Sequence, residues 1–91
     1  SACIHPDDYD RVMVNLEAHF AGQTEFFEQE YRVRCQDGSY IWILDRGQVL
    51  RDSSGQMVRM AGSETDITAR KQAEQENLRL KERLQFLLSV N

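Results

Sequence analysis

The sequence has few of the residues that build cross-links, metal sites and membrane spans. Its 91 residues include two cysteines, Cys3 and Cys35, whose wide spacing gives neither a CxxC nor a Cys/His pattern that could hold zinc. We expect both to be free, buried or partly buried thiols in a reducing compartment, which predicts a cytoplasmic location. No apolar run approaches the roughly 20 residues of a membrane span, so no membrane segment is expected in this chain.

Positive charge is also scarce, because 11 Lys and Arg residues stand against 15 Asp and Glu residues and the net charge is −4. No block of Lys or Arg is long enough to follow a phosphate backbone, which argues against a nucleic-acid partner. The glycines show neither GxGxxG nor P-loop spacing. Four carboxylates are candidates for acid/base chemistry, but no nucleophile or metal-ligand pattern accompanies them, so we expect no catalytic residue and no metal site. These carboxylates are Glu28, Glu30, Glu64 and Asp66.

A helix is predicted after Pro6, which suits a first helical turn, and Asp7 and Asp8 place negative charge where the helix dipole favours it. Gly22 marks the end of this helix. We expect His5 to be a capping or surface residue and His19 to be solvated or at a rim. One apolar stripe at helical spacing is expected to face the core: Tyr9, Val12, Met13, Leu16 and Phe20.

Three strands are predicted, near residues 25–36, 40–50 and 57–66, and they should pair sequentially as an antiparallel meander. Asp37-Gly38 predicts a type I′ hairpin turn between the first two, and Asp52 to Gly55 marks the second turn. The first strand alternates apolar and charged residues, as expected when one face is wet. The second is apolar on both faces, and we expect its Trp42 to be largely buried.

The C-terminal segment changes period, because apolar residues and Asn recur at steps of four and three. This spacing predicts a parallel coiled-coil dimer, with a docked amphipathic helix as the alternative. Asp66 or Thr68 should cap the helix start. The predicted seam consists of Ala73, Asn77, Leu80, Leu84, Leu87 and Asn91.

Several segments together resemble a known family. "IHPDDYDRV", "YRVRCQDGSYIWI" and "DSSGQMVRMAGSETDIT", followed by a helix, are similar to the C-terminal half of a PAS domain with its PAC segment. The match runs from about Ile4 to Lys71, and its parts keep their order. In bacterial sensor kinases and cyclic-di-GMP enzymes, that family has a five-stranded antiparallel sheet with helices over one face.

The resemblance implies a partial α+β fold, with one long helix, a three-stranded antiparallel meander and a C-terminal amphipathic or coiled-coil helix. It divides the chain into the C-terminal portion of a PAS/PAC domain, residues 1–68, and a signalling helix, residues 69–91. The first two strands of the family fold are missing. Since the last strand pairs with the first in that fold, its outer edge should be open to another chain.

The resemblance also implies a sensory and dimerising module that catalyses nothing itself. Its signal would pass through Asp66, Ile67 and Thr68 into the C-terminal helix and on to an output domain: a histidine kinase, a diguanylate cyclase or phosphodiesterase, or another PAS module. Neither a haem nor a flavin signature is present, and a small-molecule ligand stays possible, with Phe27, Tyr31 and Trp42 as candidate pocket residues. The alternative is a ligand-free structural module used for dimerisation and spacing.

Overall fold

A computed structural model describes residues 3–90 of the chain. The elements follow in the order α1 (Pro6–Phe20), β1 (Phe27–Arg34), β2 (Tyr40–Arg51), β3 (Met57–Asp66) and α2 (Thr68–Ser89). The predicted α+β order of helix, meander and helix is confirmed. Asn91, the last residue of the predicted seam, lies outside the described residues.

Helix α1 begins as its sequence predicts. Pro6 occupies its first turn, and the Nδ1 atom of His5 accepts a hydrogen bond from the backbone N–H of Asp7 at 3.0 Å. Val12 is only 2% exposed, and Met13 and Leu16 pack against the same core. The predicted stripe was too long, however, because its two ends, Tyr9 and Phe20, are exposed. The apolar contact of α1 with the core is therefore confined to the middle of the helix, at Val12, Met13 and Leu16.

His19 is buried at the end of α1, so the prediction of a solvated or rim residue was wrong. Its Nε2 atom accepts a hydrogen bond from the backbone N–H of Val49 at 2.9 Å, and its Nδ1 atom lies 3.0 Å from the carbonyl oxygen of Thr24. The imidazole thus ties α1 to the second half of β2 and to the loop that leads into β1.

The sheet has the order β1-β2-β3, and both pairs are antiparallel, as predicted. Tyr31 lies opposite Ile43 in the first pair, and Asp45 lies opposite Glu64 in the second. Helix α1 packs against the β1 and β2 part of the face that carries these four residues, which we call the concave face. The core lies between α1 and β1–β2 and consists of Val12, Phe27, Tyr31, Val33 and Ile43.

Both hairpin loops have the same construction, and it differs from the predicted type I′ turn. The N–H of Gly38 donates to the carbonyl of Cys35, and the N–H of Cys35 donates to the carbonyl of Ser39. Gly38 has a φ of 89°, whereas no described non-glycine residue has a positive φ. A type I′ turn needs a positive φ at both central residues. The loop instead spans Gln36 to Gly38, and only its last residue is in the left-handed region.

Strand β3 is the exposed part of the sheet. None of its residues is buried, and no described strand pairs with its outer edge. Its register with β2 shifts between Leu50 and Arg51. An open edge of this kind presents unpaired backbone groups to another chain.

Candidate functional site

An open groove lies on the concave face beside α1. Its volume is about 520 Å³, and residues of α1, β1, β2 and β3 line it. Met13 and Leu16 form the wall on the α1 side, and Gly47 and Gly62, which lie opposite each other on β2 and β3, form part of the floor. The side chain of Met60 lies over Gly47, and the absence of a Cβ atom at Gly62 allows the backbones of β2 and β3 to approach closely.

A polar group forms part of the groove floor. The buried Tyr31 hydroxyl donates to Oδ2 of Asp45 at 2.6 Å, and Glu64 is the cross-strand neighbour of Asp45. Burial raises the pKa of the Tyr31 hydroxyl above its usual range, and the hydrogen bond to Asp45 and the charge of Glu64 raise it further. Tyr31 therefore stays a neutral donor, and the groove combines an apolar wall with an acidic floor.

The candidate aromatic residues do not form one wall. Phe27 and Tyr31 are buried and line the groove, but Trp42 lies on the opposite, outer face of the sheet and is only partly buried. The register explains this, because Arg32 is the residue opposite Trp42, and Arg32 alternates in side-chain direction with Tyr31. The three candidate pocket residues therefore do not share one face of the sheet, and Trp42 is buried in part.

The start of α2 is attached to β2 through the backbone of Trp42. The N–H of Ile67 donates to the Trp42 carbonyl at 2.9 Å, and the Trp42 N–H donates to Oγ1 of Thr68 at 3.0 Å. Asp66 Oδ1 accepts from both the N–H and the hydroxyl of Thr68, at 2.9 and 2.6 Å. These hydrogen bonds hold the pKa of Asp66 below its usual value.

This joint contains the predicted hydrogen bond at Asp66, which accepts a first-turn N–H, but not one at Thr68. Ile67 occupies the N-cap position and its side chain makes no capping hydrogen bond. Asp66, one residue earlier, accepts the N–H of the first helical residue, while the Thr68 hydroxyl serves the sheet and not the helix. Asp66, Ile67 and Thr68 together fix where the helix begins.

Comparison with known proteins identifies the family of this chain. The sequence profile of a family described as PAS fold matches residues 1–63. The chain belongs to the PAS fold family. A crystal structure of a sensory box histidine kinase/response regulator from Burkholderia thailandensis matches with a TM-score of 0.81 and 41% identity, over 90% of this chain and 62% of that one. This PAS module is thus similar in structure to part of a sensory protein.

Two curated proteins are similar in sequence to the PAS module. The methyl sulfide methyltransferase-associated sensor of Methanosarcina acetivorans is 33% identical over 72 residues, which are 79% of this chain and 7% of the relative. Hybrid signal transduction histidine kinase A of Dictyostelium discoideum is 34% identical over 71 residues, 75% of this chain and 3% of the relative. The chain therefore spans only a small part of the curated relatives that it matches.

The sequence alone did not reveal a charged pair that joins α1 to the sheet of the PAS module. Asp8, in the first turn of α1, is 5% exposed and accepts three hydrogen bonds from Arg32 of β1. Because of these bonds, the pKa of Asp8 falls from its ordinary 3.8 to about 2. The two residues are 24 positions apart, so only the packing of α1 on β1 brings them together.

Helix α2 extends beyond the sheet. None of its described residues is buried, which contradicts the alternative of a helix docked over the sheet. Leu80, Leu84 and Leu87, from the predicted seam, are all exposed.

Among residues 3–90, no group of three or more His, Cys, Asp or Glu side chains is arranged to hold a metal ion. Neither α1 nor α2 is both long and apolar enough to cross a membrane.

Proposed function

We propose that this PAS module is a sensory and dimerising unit that passes the state of its concave face through Asp66, Ile67 and Thr68 into α2. Helix α2 then carries the signal to an output domain in a longer protein. One observation carries this proposal: the start of α2 is bonded to the central strand, whereas the rest of the helix leaves the sheet with its leucines exposed. The start of α2 must therefore move with the sheet, whereas the exposed leucines of the rest of the helix need another surface to pack against.

The cover that we propose is a second copy of α2 in a parallel dimer. Ala73, Asn77, Leu80, Leu84 and Leu87 would form the seam, at a and d positions. The exposed apolar surface of α2 supports this, since an isolated helix of 22 residues without a buried face gains little from packing. An Asn pair at position 77 would disfavour other registers at some cost in stability.

Sedimentation of the chain tests the dimer. Wild type should sediment as a dimer, and Leu84→Asp should be a monomer, because two carboxylates would meet in the seam. Leu78→Asp is the matched control, since Leu78 and Leu84 are 58% and 57% exposed and only Leu84 belongs to the seam. A monomeric wild type, or a dimer that responds equally to both substitutions, would exclude the proposed contact.

The output domain is proposed from the relatives. Two of the proteins described above carry the words histidine kinase in their names, and a third is named a sensor. We propose a histidine kinase output; a diguanylate cyclase or phosphodiesterase, or a further PAS module, would fit the same helix. We also propose a location in the reducing cytoplasm, which two unlinked cysteines favour. Cys35 is partly buried as predicted, whereas Cys3 is exposed, contrary to the prediction.

A small-molecule ligand is the stimulus that the groove favours, with Phe27 and Tyr31 as contacts. The second candidate function is a ligand-free module for dimerisation and spacing. Every residue of β3 is exposed, so no described element closes the groove on the β3 side, and this favours the second candidate. Native mass spectrometry of the full-length parent separates the two. A co-purifying small molecule lost on Tyr31→Ala supports the sensor, and a bare protein supports the spacer.

A further inference from the structure

Two cations lie over the indole ring of Trp42 on the outer face of the sheet. The guanidinium carbon of Arg32 lies 5.2 Å from the ring centroid, and the Nζ atom of Lys71 lies 4.7 Å from it. Arg32 belongs to β1 and Lys71 to the first turns of α2. The ring is therefore in contact with both its neighbouring strand and the helix, through cation–π interactions.

Each cation is also held by a carboxylate. Arg32 donates from Nε to Oδ2 of Asp8 at 3.0 Å and from Nη2 to Oδ1 at 2.8 Å, so its guanidinium is fixed by α1. The Nζ atom of Lys71 lies 2.7 Å from Oε1 of Glu30, which lowers the pKa of that carboxyl. Continuous contacts thus lead from α1 through β1 and β2 to α2.

The contacts of Lys71 attach α2 to the sheet at a second point, beyond the joint at Thr68. Thr68 fixes the origin of α2 on the Trp42 backbone, but a helix held at one point can swing. Lys71 is three residues further along and so lies on nearly the same side of the helix. Its contacts with the Trp42 ring and with Glu30 of β1 supply a second attachment, which fixes the direction of α2.

We propose that Arg32 and Trp42 couple the position of α1 on the sheet to the direction of α2. When α1 shifts, Asp8 carries the Arg32 guanidinium with it, and the ring of Trp42 loses its contact with one of its two cations. As a route for a signal this inference rests on the proposed function, because α1 forms one wall of the groove. As a physical coupling it stands on the contacts alone.

The test is amide hydrogen exchange on the full chain with Asp8→Asn, which removes the charge but keeps the shape. Amides of Arg70 to Ala73 should exchange about fivefold faster or more, relative to the amides of Tyr31 and Ile43 in the sheet. Fluorescence of Trp42, the only tryptophan in the chain, should change as well. Asp7→Asn is the matched control, since Asp7 is exposed in the same helical turn, and it should change neither signal.

Arg32→Lys is a second test of the same contact, in case Asp8→Asn destabilises the whole fold. It keeps the positive charge and removes the paired hydrogen bonds to Asp8. Faster exchange at Arg70 to Ala73 in both variants, with the sheet unchanged, supports the coupling. The inference is overturned if Lys71→Gln speeds exchange there while Asp8→Asn and Arg32→Lys leave it unaltered, since the contact would then be local. The fluorescence of Trp42, which lies outside the proposed seam, reports this contact whether or not the chain dimerises, so the proposed function can fail separately.

Discussion

Strands β1 and β3 border the same central strand, yet they are covered very differently. Strand β1 lies beneath α1 and contributes the buried residues Phe27, Tyr31 and Val33, whereas no residue of β3 is buried. Both strands make antiparallel ladders with β2, so backbone pairing does not distinguish them. Pairing sets the shape of this sheet, but burial supplies most of its stability, and the burial lies on the β1 side.

The largest effect should follow from removing a core side chain of β1. Phe27→Ala should lower the free energy of unfolding by about 3–5 kcal/mol, because a buried ring is replaced by a cavity. Val58→Ala, on exposed β3, should change it by about 0.5 kcal/mol or less. Urea denaturation measures both. Equal losses would mean that β3 is packed as firmly as β1, and the contrast between the strands would disappear.

The glycine pair offers a sharper comparison within β2 and β3. A Cβ atom at Gly62 would lie 2.0 Å from the backbone oxygen of Arg46, whereas one at Gly47 would meet the end of the flexible Met60 side chain at 2.7 Å. Gly62→Ala should therefore destabilise the fold by about 1–3 kcal/mol, since the backbones must move apart, and Gly47→Ala should cost less. Thermal unfolding of the two variants decides the order, and the reverse order would contradict the close approach of β2 and β3.

Acid should weaken the attachment of α1 to β1 through Asp8. The pKa of Asp8 is lowered from 3.8 to about 2 in the folded chain, chiefly by the hydrogen bonds from Arg32. A carboxyl with a lowered pKa stabilises the fold fully above its unfolded value, and this stabilisation disappears as the pH falls from about 4 to about 2. The loss is about 2 kcal/mol.

Asp8→Asn should flatten this part of the stability profile, which denaturation at a series of pH values measures. Asp7→Asn should leave the profile as in wild type. An unchanged slope in Asp8→Asn would show that other carboxylates dominate the acid transition.

The smallest effect should come from the end of β3, where the strand passes into α2. Asp66→Ala removes the acceptor for the N–H and hydroxyl of Thr68, so the first turn of α2 should exchange its amide protons faster while the midpoint of unfolding barely moves. Asp52→Ala is the matched control, because Asp52 accepts from the N–H and hydroxyl of Ser54 in the same manner within a hairpin loop. It should affect only that loop. Identical exchange in α2 for both variants would remove the role of Asp66 at the joint.

Local patterns predicted most of the fold. Alternation in β1 placed Phe27, Tyr31 and Val33 on one face, and Asp37-Gly38 located the first hairpin. The turn type was missed because an Asp-Gly pair suits both a loop of two residues and a longer loop that ends in a left-handed glycine. The sequence does not show how many residues of the loop are unpaired between the two strands.

The candidate site was harder to predict because it depends on register and packing. Trp42 was grouped with Phe27 and Tyr31 by residue type, but Tyr31 is paired with Ile43, which turns Trp42 to the other face. The bond between Tyr31 and Asp45 required the same register. Helical spacing extended the stripe of α1 to Tyr9 and Phe20, although the residues buried near the two ends of the helix are the polar Asp8 and His19.

Helix α2 has a mechanical property that follows from its length and its attachment at one end. Its 22 residues extend about 33 Å at 1.5 Å per residue. A tilt of about 5° at its origin would displace the far end by about 3 Å, more than half the pitch of one helical turn. A small change in the angle of α2 at Trp42 would therefore displace the C-terminal end of the helix far enough to shift one side chain past another.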